Sequence, residues 1–290
     1  MLKVGLVGLG HNGRALGQRL IQAGYRVIGY DPDLAAAAKS GLRTVGTAAR
    51  LHEECSLHLV GADGEHACAL LEELLPMASG AETTIVIAGA ITPEEAHSFA
   101  LGAAAAGIDL LDAPIVGGEE AIMNGTAAVF ASGDQDALDR CRDLLSVFGT
   151  ILYVGDAGSG QVARTVNDLV YWATTLATYE AFTIARACDM DLSRIRDAVL
   201  KASGASQALG DWGGAKLPEA PAELAAALAL ARALKLDTPL LDQVNELLGQ
   251  VDQEQLSGLF NLGIADLSGV APAPPAPAAD ENAARSHQLP

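Results

Sequence analysis

Aromatic side chains are scarce in this chain: only 4% of its 290 residues are Phe, Trp or Tyr. A core without large rings must be packed by small and branched aliphatic residues, which suits close contact between helices and a sheet. Half of the residues are hydrophobic, enough to fill a large core. Basic residues are also few, 18 Lys and Arg against 36 Asp and Glu, for a formal net charge of −18. Such a surface repels phosphate backbones and anionic headgroups, so neither nucleic acid nor a membrane is expected as a partner. An anionic ligand must then be held by a local device, such as a helix N-terminus or a placed arginine. The four cysteines, Cys55, Cys68, Cys141 and Cys188, show no C-x-x-C pair and no Cys/His zinc spacing. They read as reduced, mostly buried thiols, and no metal site is expected. No apolar run approaches the roughly 18 residues of a membrane span. The opening "MLKVGLVGLG" lacks the pattern of a secretory signal. The expectation is a soluble, cytoplasmic protein.

The length suggests about two domains. Short runs rich in Val, Ile and Leu recur at 2–7, 26–30, 57–61, 84–88, 108–112, 127–131 and 151–154, bounded by Gly, Asp or Pro. Amphipathic segments such as 13–23 and 64–78 lie between them. Strand–helix alternation of this kind implies an α/β fold, a doubly wound, mainly parallel sheet with helices on both faces. After about 157 the strand signal stops. A long helix is expected over 160–187, followed by helices at 192–202, 221–235 and 238–250, with Pro239 suited to a helix start. The expected division is an α/β nucleotide-binding domain at 1–157 and an all-α C-terminal domain at 158–268. Residues 269–290, rich in Pro, Ala and polar residues, are expected to be a disordered tail.

The first strand runs directly into "GLGHNG", a Gly8-x-Gly10-x-x-Gly13 pattern that opens a helix. Glycines at these positions permit a tight turn, close backbone approach to a pyrophosphate and close helix–strand packing, while the helix N-terminus presents free N–H groups. A lone pattern is weak evidence. Here a strand precedes it, a helix follows, and Asp31 ends the second strand about 20 residues on. A carboxylate there accepts from a ribose 2′-hydroxyl and repels a 2′-phosphate, and "PDLAAAA" brings no arginine to bind one. Gly8, Leu9, Gly10, His11, Asn12, Gly13 and Asp31 are therefore the expected cofactor-binding residues. NAD is favoured over NADP. The plainer alternative for Asp31 is a helix cap.

Two further segments join this loop in a resemblance. "DAPIVGGEEAIMNGTAAVFASGD" (112–134) is similar to Asp-Ala-Pro-Val-Ser-Gly-Gly followed by Gly-Thr-Leu, and "GSGQVARTVND" (158–168) to Gly-x-Gly-x-x-x-Lys-x-x-x-Asn. In order and spacing, over about residues 1–250, the chain resembles the β-hydroxyacid dehydrogenases, the group of 3-hydroxyisobutyrate and 6-phosphogluconate dehydrogenases. The resemblance implies an N-terminal Rossmann-type domain, a long inter-domain helix and an all-α domain through which a homodimer or homotetramer forms. It implies hydride transfer between nicotinamide and a small carbonyl or alcohol substrate in the inter-domain cleft. It places Gly117, Gly118 and Asn167 at the substrate.

The departures fall on the substrate side. Val116 stands where the family has a serine that holds the substrate carboxylate, Arg164 where it has its catalytic lysine, and Asp168 where it has an asparagine. Ala222, Glu223 and Leu224 align with the family's Lys-Asp-Leu, and Gly89 and Ala90 with a Ser-Thr pair. Buried lysine serves as a proton donor because its pKa can fall toward neutrality, whereas arginine stays protonated. Arg164 can clamp an acid or polarise a carbonyl, and another group must move the proton. At about 100° per residue, Arg164, Asp168, Tyr171 and Thr175 share one helix face. Asp168 and Tyr171 are the expected proton carriers beside Arg164. Read alone, Arg164 and Asp168 describe an ordinary exposed ion pair at i,i+4. Two alternatives stay open: an imine reductase-like enzyme, for which a carboxylate suits a cationic intermediate, and a catalytically weak NAD-binding or assembly protein that has lost the proton shuttle.

Overall fold

The computed structural model describes residues 3–78, 83–212 and 214–260. The expected tail at 269–290 lies outside them.

Among the described residues nine strands form one sheet: β1 (Lys3–Val7), β2 (Arg26–Tyr30), β3 (Arg43–Thr44), β4 (Leu57–Val60), β5 (Thr84–Ile87), β6 (Asp109–Asp112), β7 (Ile115–Val116), β8 (Ala127–Gly133) and β9 (Gly149–Gly155). The helices between them are α1 (His11–Gln22), α2 (Leu34–Lys39), α3 (Ala48–Glu54), α4 (Gly64–Leu74), α5 (Pro93–Ala105), α6 (Gly118–Asn124) and α7 (Gln135–Leu145). Strand order is β3-β2-β1-β4-β5-β6-β8-β7, with β9 paired to β8. From β3 to β6 every pairing is parallel. β8 then runs antiparallel to β6 and β7, and β9 runs parallel to β8. The expected doubly wound sheet is thus present, but its last part reverses direction. The two-residue strands β3 and β7 carry no sequence signal, being too short to show a period.

Side chains of the central strands alternate between the two faces. Val4, Leu6, Leu59, Val86 and Leu111 pack against α1, α6 and α7. Val7, Val60, Ile85, Ile87 and Leu110 pack against α3, α4 and α5. Few rings enter either core, and close approach replaces them. A Cβ at Gly17 of α1 would meet Leu6 and Leu42 within 3 Å.

After the sheet come α8 (Ser159–Ala187), α9 (Leu192–Val199), α10 (Gln207–Gly210), α11 (Ala220–Ala233), α12 (Pro239–Leu248) and α13 (Gln253–Gly258). The expected long helix begins within one residue of its expected start. The chain falls into two compact units: one runs to Ala173 and takes back Leu217–Leu248, while the other is Thr174–Lys216 with the segment from Gly249 onward. The first half of α8, with α11 and α12, therefore belongs with the sheet. In the second unit Phe182, Trp212 and Phe260 stack edge-on, and the Trp212 indole donates to the Leu256 carbonyl at 2.9 Å. Cys55 and Cys141 are buried, Cys68 is partly so and Cys188 is exposed, which is less burial than expected; all four are free thiols. Among the described residues no helix is long and apolar enough to cross a membrane.

Candidate active site

Gly8, at φ +84°, turns the chain out of β1 so tightly that a Cβ there would strike Ala62. A Cβ on Gly13 would collide with the Gly8 carbonyl oxygen, whereas one on Gly10 would stand in open space. The first and third glycines are needed for packing, and the second leaves room for a ligand. Gly10 caps α1 with no side-chain bond, and no acidic residue lies in the first turn. The N–H groups of that turn are thus left to an anion.

Asp31 is buried at the end of β2. Its Oδ2 accepts from the Leu9 N–H at 2.7 Å and its Oδ1 from the Asp33 N–H at 2.9 Å. The helix cap is Asp33, which accepts from Ala35. Asp31 instead ties the glycine loop to the strand end and retains lone pairs for a hydroxyl donor. Around it lies a cleft of about 490 Å³ lined by Gly10, His11, Asn12, Asp31, Asp33, Ala36, Gly61, Ala62, Asp63 and His66. No lysine or arginine is among them. His66 Nε2 stands 3.6 Å from Asp31 Oδ2. Asn12 donates to Asp63 at 3.2 Å, and Asp63 also accepts from the Ala90 N–H at 2.6 Å. Gly89 is where a Cβ would collide with the Ala62 carbonyl oxygen. Close approach of the segments after β4 and β5 thus requires glycine at position 89.

α8 is docked onto the sheet by its first turns. Gln161, 1% exposed, donates to Gly89 O at 3.1 Å and Asp112 Oδ1 at 2.8 Å, and accepts from the Ile91 N–H at 3.2 Å. Asp112 Oδ2 accepts from Ser132 at 2.8 Å and the Gly158 N–H at 3.0 Å. Burial raises the Asp112 carboxyl, and these donors oppose it.

One turn further on, Arg164 Nε stands 3.4 Å from Asp168 Oδ2, with side chains 14% and 10% exposed. This is not the solvated pair that the spacing alone describes. Arg164 Nη2 also stands 3.9 Å from Oε1 of Glu223, which reaches in from α11. The Trp172 indole donates to Glu223 Oε2 at 2.7 Å. Asn167, itself exposed, donates to Asp168 Oδ1 at 3.1 Å. Tyr171 meets Trp172 edge-on, with ring centroids 5.2 Å apart. Burial raises the Asp168 carboxyl against the pull of Arg164 and Asn167, and Asp63 of the cleft adds to the rise. Glu223 is pushed up to about 7, first by burial and then by the charge of Asp168.

Gly117 (φ 122°) and Gly118 (φ 75°) turn the chain into α6 in conformations that favour glycine. There Glu119 pairs with His11 of the glycine loop at 3.0 Å. These glycines are thus joined through α6 to the cleft. Val116 is buried in β7. Two residues of this cluster, Glu223 and Trp172, were not among the expected site residues. The one signal was the alignment of Glu223 with an acidic family position.

Comparison with known proteins fits this geometry. Residues 3–155 match the family model described as the NAD binding domain of 6-phosphogluconate dehydrogenase. Residues 158–261 match the one described as NAD-binding of NADP-dependent 3-hydroxyisobutyrate dehydrogenase. A 3-hydroxyisobutyrate dehydrogenase of Pseudomonas aeruginosa is 29% identical over 83% of this chain and 89% of its own length. Two solved structures share the fold. A Mycobacterium tuberculosis 3-hydroxyisobutyrate dehydrogenase with L-serine has a TM-score of 0.76 and 24% identity, covering 90% of this chain and 98% of its own. An imine reductase from Myxococcus stipitatus with NAD+ has a TM-score of 0.62 and 20% identity, covering 86% and 93%.

Proposed function

The chain belongs to the β-hydroxyacid dehydrogenase family, and from that premise we propose that it is an active NAD-linked oxidoreductase of a small carbonyl or alcohol. The observation that carries the reading is the buried Arg164–Asp168 pair on α8, close enough to the cleft for Asp63 to act on Asp168.

The residues present suit a dinucleotide. The uncapped first turn of α1 would receive its pyrophosphate and the space at Gly10 would let it approach. Asp31 would accept from the adenosine ribose. With Asp31, Asp33 and Asp63 in the cleft and no lysine or arginine among its lining residues, a 2′-phosphate would meet net negative charge, which supports NAD over NADP. The nicotinamide, when bound, supplies or accepts a hydride. Arg164 would hold and polarise the substrate oxygen, for which a guanidinium in a sheltered site is well suited. Asn167 and Asp168 would orient the substrate, and Gly117 and Gly118 leave backbone near the cleft.

Loss of the serine hydroxyl at Val116 and gain of Asp168 disfavour a simple carboxylate substrate and keep cationic substrates open. The test is direct. The protein is incubated with NADH or NADPH and a panel of small semialdehydes, keto acids and cyclic imines, and nicotinamide absorbance is followed. Turnover with NADH at least 10-fold better than with NADPH is expected. NADH binding without turnover of any class would favour the non-catalytic alternative. Self-association is part of the proposal. Val162, Val166 and Val170, one turn apart and exposed on α8, support it. Val166→Glu should lower the sedimenting mass.

A further inference from the structure

We propose that Glu223 is the group that exchanges a proton with the substrate, taking over the task that arginine at position 164 cannot perform; this rests on the oxidoreductase reading above. Arg164 faces two carboxylates, Asp168 Oδ2 at 3.4 Å from its own helix and Glu223 Oε1 at 3.9 Å from α11. One cation cannot neutralise both, and burial makes the surplus negative charge costly. The cluster relieves it by keeping a proton on one carboxylate.

The environment decides which. Asp168 lies nearer to Arg164 and also receives the Asn167 amide. Glu223 is farther from the guanidinium, has one neutral donor in Trp172, and feels Asp168 and Glu219 as well. The proton therefore resides on Glu223, whose carboxyl titrates at about 7, while Asp168 stays the better paired anion. Trp172 also sets the atom. Its N–H needs an acceptor and takes Oε2, which leaves Oε1, the oxygen facing Arg164, to carry the O–H. With its side chain 24% exposed against 14% for Arg164, Glu223 keeps a path for exchange with water.

In the reducing direction a hydride, which reduced nicotinamide would supply, adds to the carbonyl carbon and the C=O π pair moves to oxygen. That oxygen takes the proton from Glu223 Oε1, and the resulting carboxylate is reprotonated by water. In oxidation the Glu223 carboxylate takes the alcohol proton as hydride leaves the carbon, which oxidised nicotinamide would accept.

Glu223→Gln keeps an acceptor for Trp172 and removes the proton. The first measurement is intrinsic tryptophan fluorescence against pH in the protein without cofactor. A transition near pH 7 is expected in wild type and not in Glu223→Gln; a transition common to both, or none in wild type, overturns the proposal. The second is kinetic. Wild-type reduction should fall as pH rises through about 7. Glu223→Gln should lose about 100-fold or more in kcat with little change in KM for NADH, and Glu223→Asp should recover part of it. An active wild type with an equally active Glu223→Gln overturns the role of Glu223 alone. A wild type with the transition but no turnover of any substrate overturns the oxidoreductase reading and this role with it.

Discussion

Arg164 is the residue around which the site is organised, and its substitutions follow from its two partners. Arg164→Ala would leave Asp168 and Glu223 facing each other with no cation between them. A loss of about 3 kcal/mol is expected, because breaking a sheltered ion pair strands the remaining charges. Urea unfolding of the variant measures it, and a loss below about 1 kcal/mol would contradict the burial argument. Trp172→Phe removes the donor that lowers the Glu223 carboxyl. The basic limb of the reduction profile should move to higher pH, with kcat on the acidic plateau little changed. A limb that moves down or stays put would show that Trp172 does not govern this proton. The Arg164–Asp168 pair was legible in the sequence because a helix fixes the spacing of i and i+4. Its meaning was not, because the same spacing serves an exposed pair equally well. Fractional exposure of 14% and 10% makes the difference.

At the scale of elements, the glycine loop and the start of α8 carry the site, and both depend on close approach. Gly13→Ala would press a methyl group against the Gly8 carbonyl, with no flexible side chain to give way. NADH affinity should fall more than 10-fold and the melting temperature with it; retained affinity would mean that the turn can relax. Gln161 holds α8 against the ends of β5 and β6 through Gly89, Ile91 and Asp112. Gln161→Ala should cost about 3 kcal/mol, since it leaves buried donors and acceptors unsatisfied. Denaturant unfolding checks this too. The loop could be read from sequence because its glycines, strand and helix are contiguous. Gln161 could not, for its partners are 49 to 72 residues away. The reversal at β8 is of the same kind, a matter of which edge the strand finds.

For the whole molecule, acid should act first through His58. It lies fully buried on β4, against His52 at 3.2 Å, and burial followed by the His52 charge lowers its pKa from 6.5 to about 4. A lowered folded pKa means that the unfolded chain binds the proton more readily. Stability is therefore intact above pH 6.5 and declines as pH falls toward 4, by about 3 kcal/mol in total. His58→Gln should flatten the melting temperature between these limits; an unchanged slope would assign it to other groups. Glu223 acts in the opposite direction. Its raised carboxyl stabilises the fold below about 4.5, and that contribution fades as pH rises through 7. Glu223→Gln should remove this fading.

The sequence by itself determined the class of fold, the nucleotide loop and the long helix, because each is written in local spacing: two-residue and 3.6-residue periods, glycines at fixed offsets, an acid at a strand end. It also determined that arginine 164 cannot do a lysine's work, which is a property of the residue alone. Only the tertiary structure decided that the Arg164–Asp168 pair is withdrawn from water. It alone returned Leu217–Leu248 to the first unit and so set Glu223 beside that pair. The reason is physical. A carboxyl group's proton affinity depends on desolvation and on neighbours brought from distant parts of the chain, and neither is encoded at the position itself.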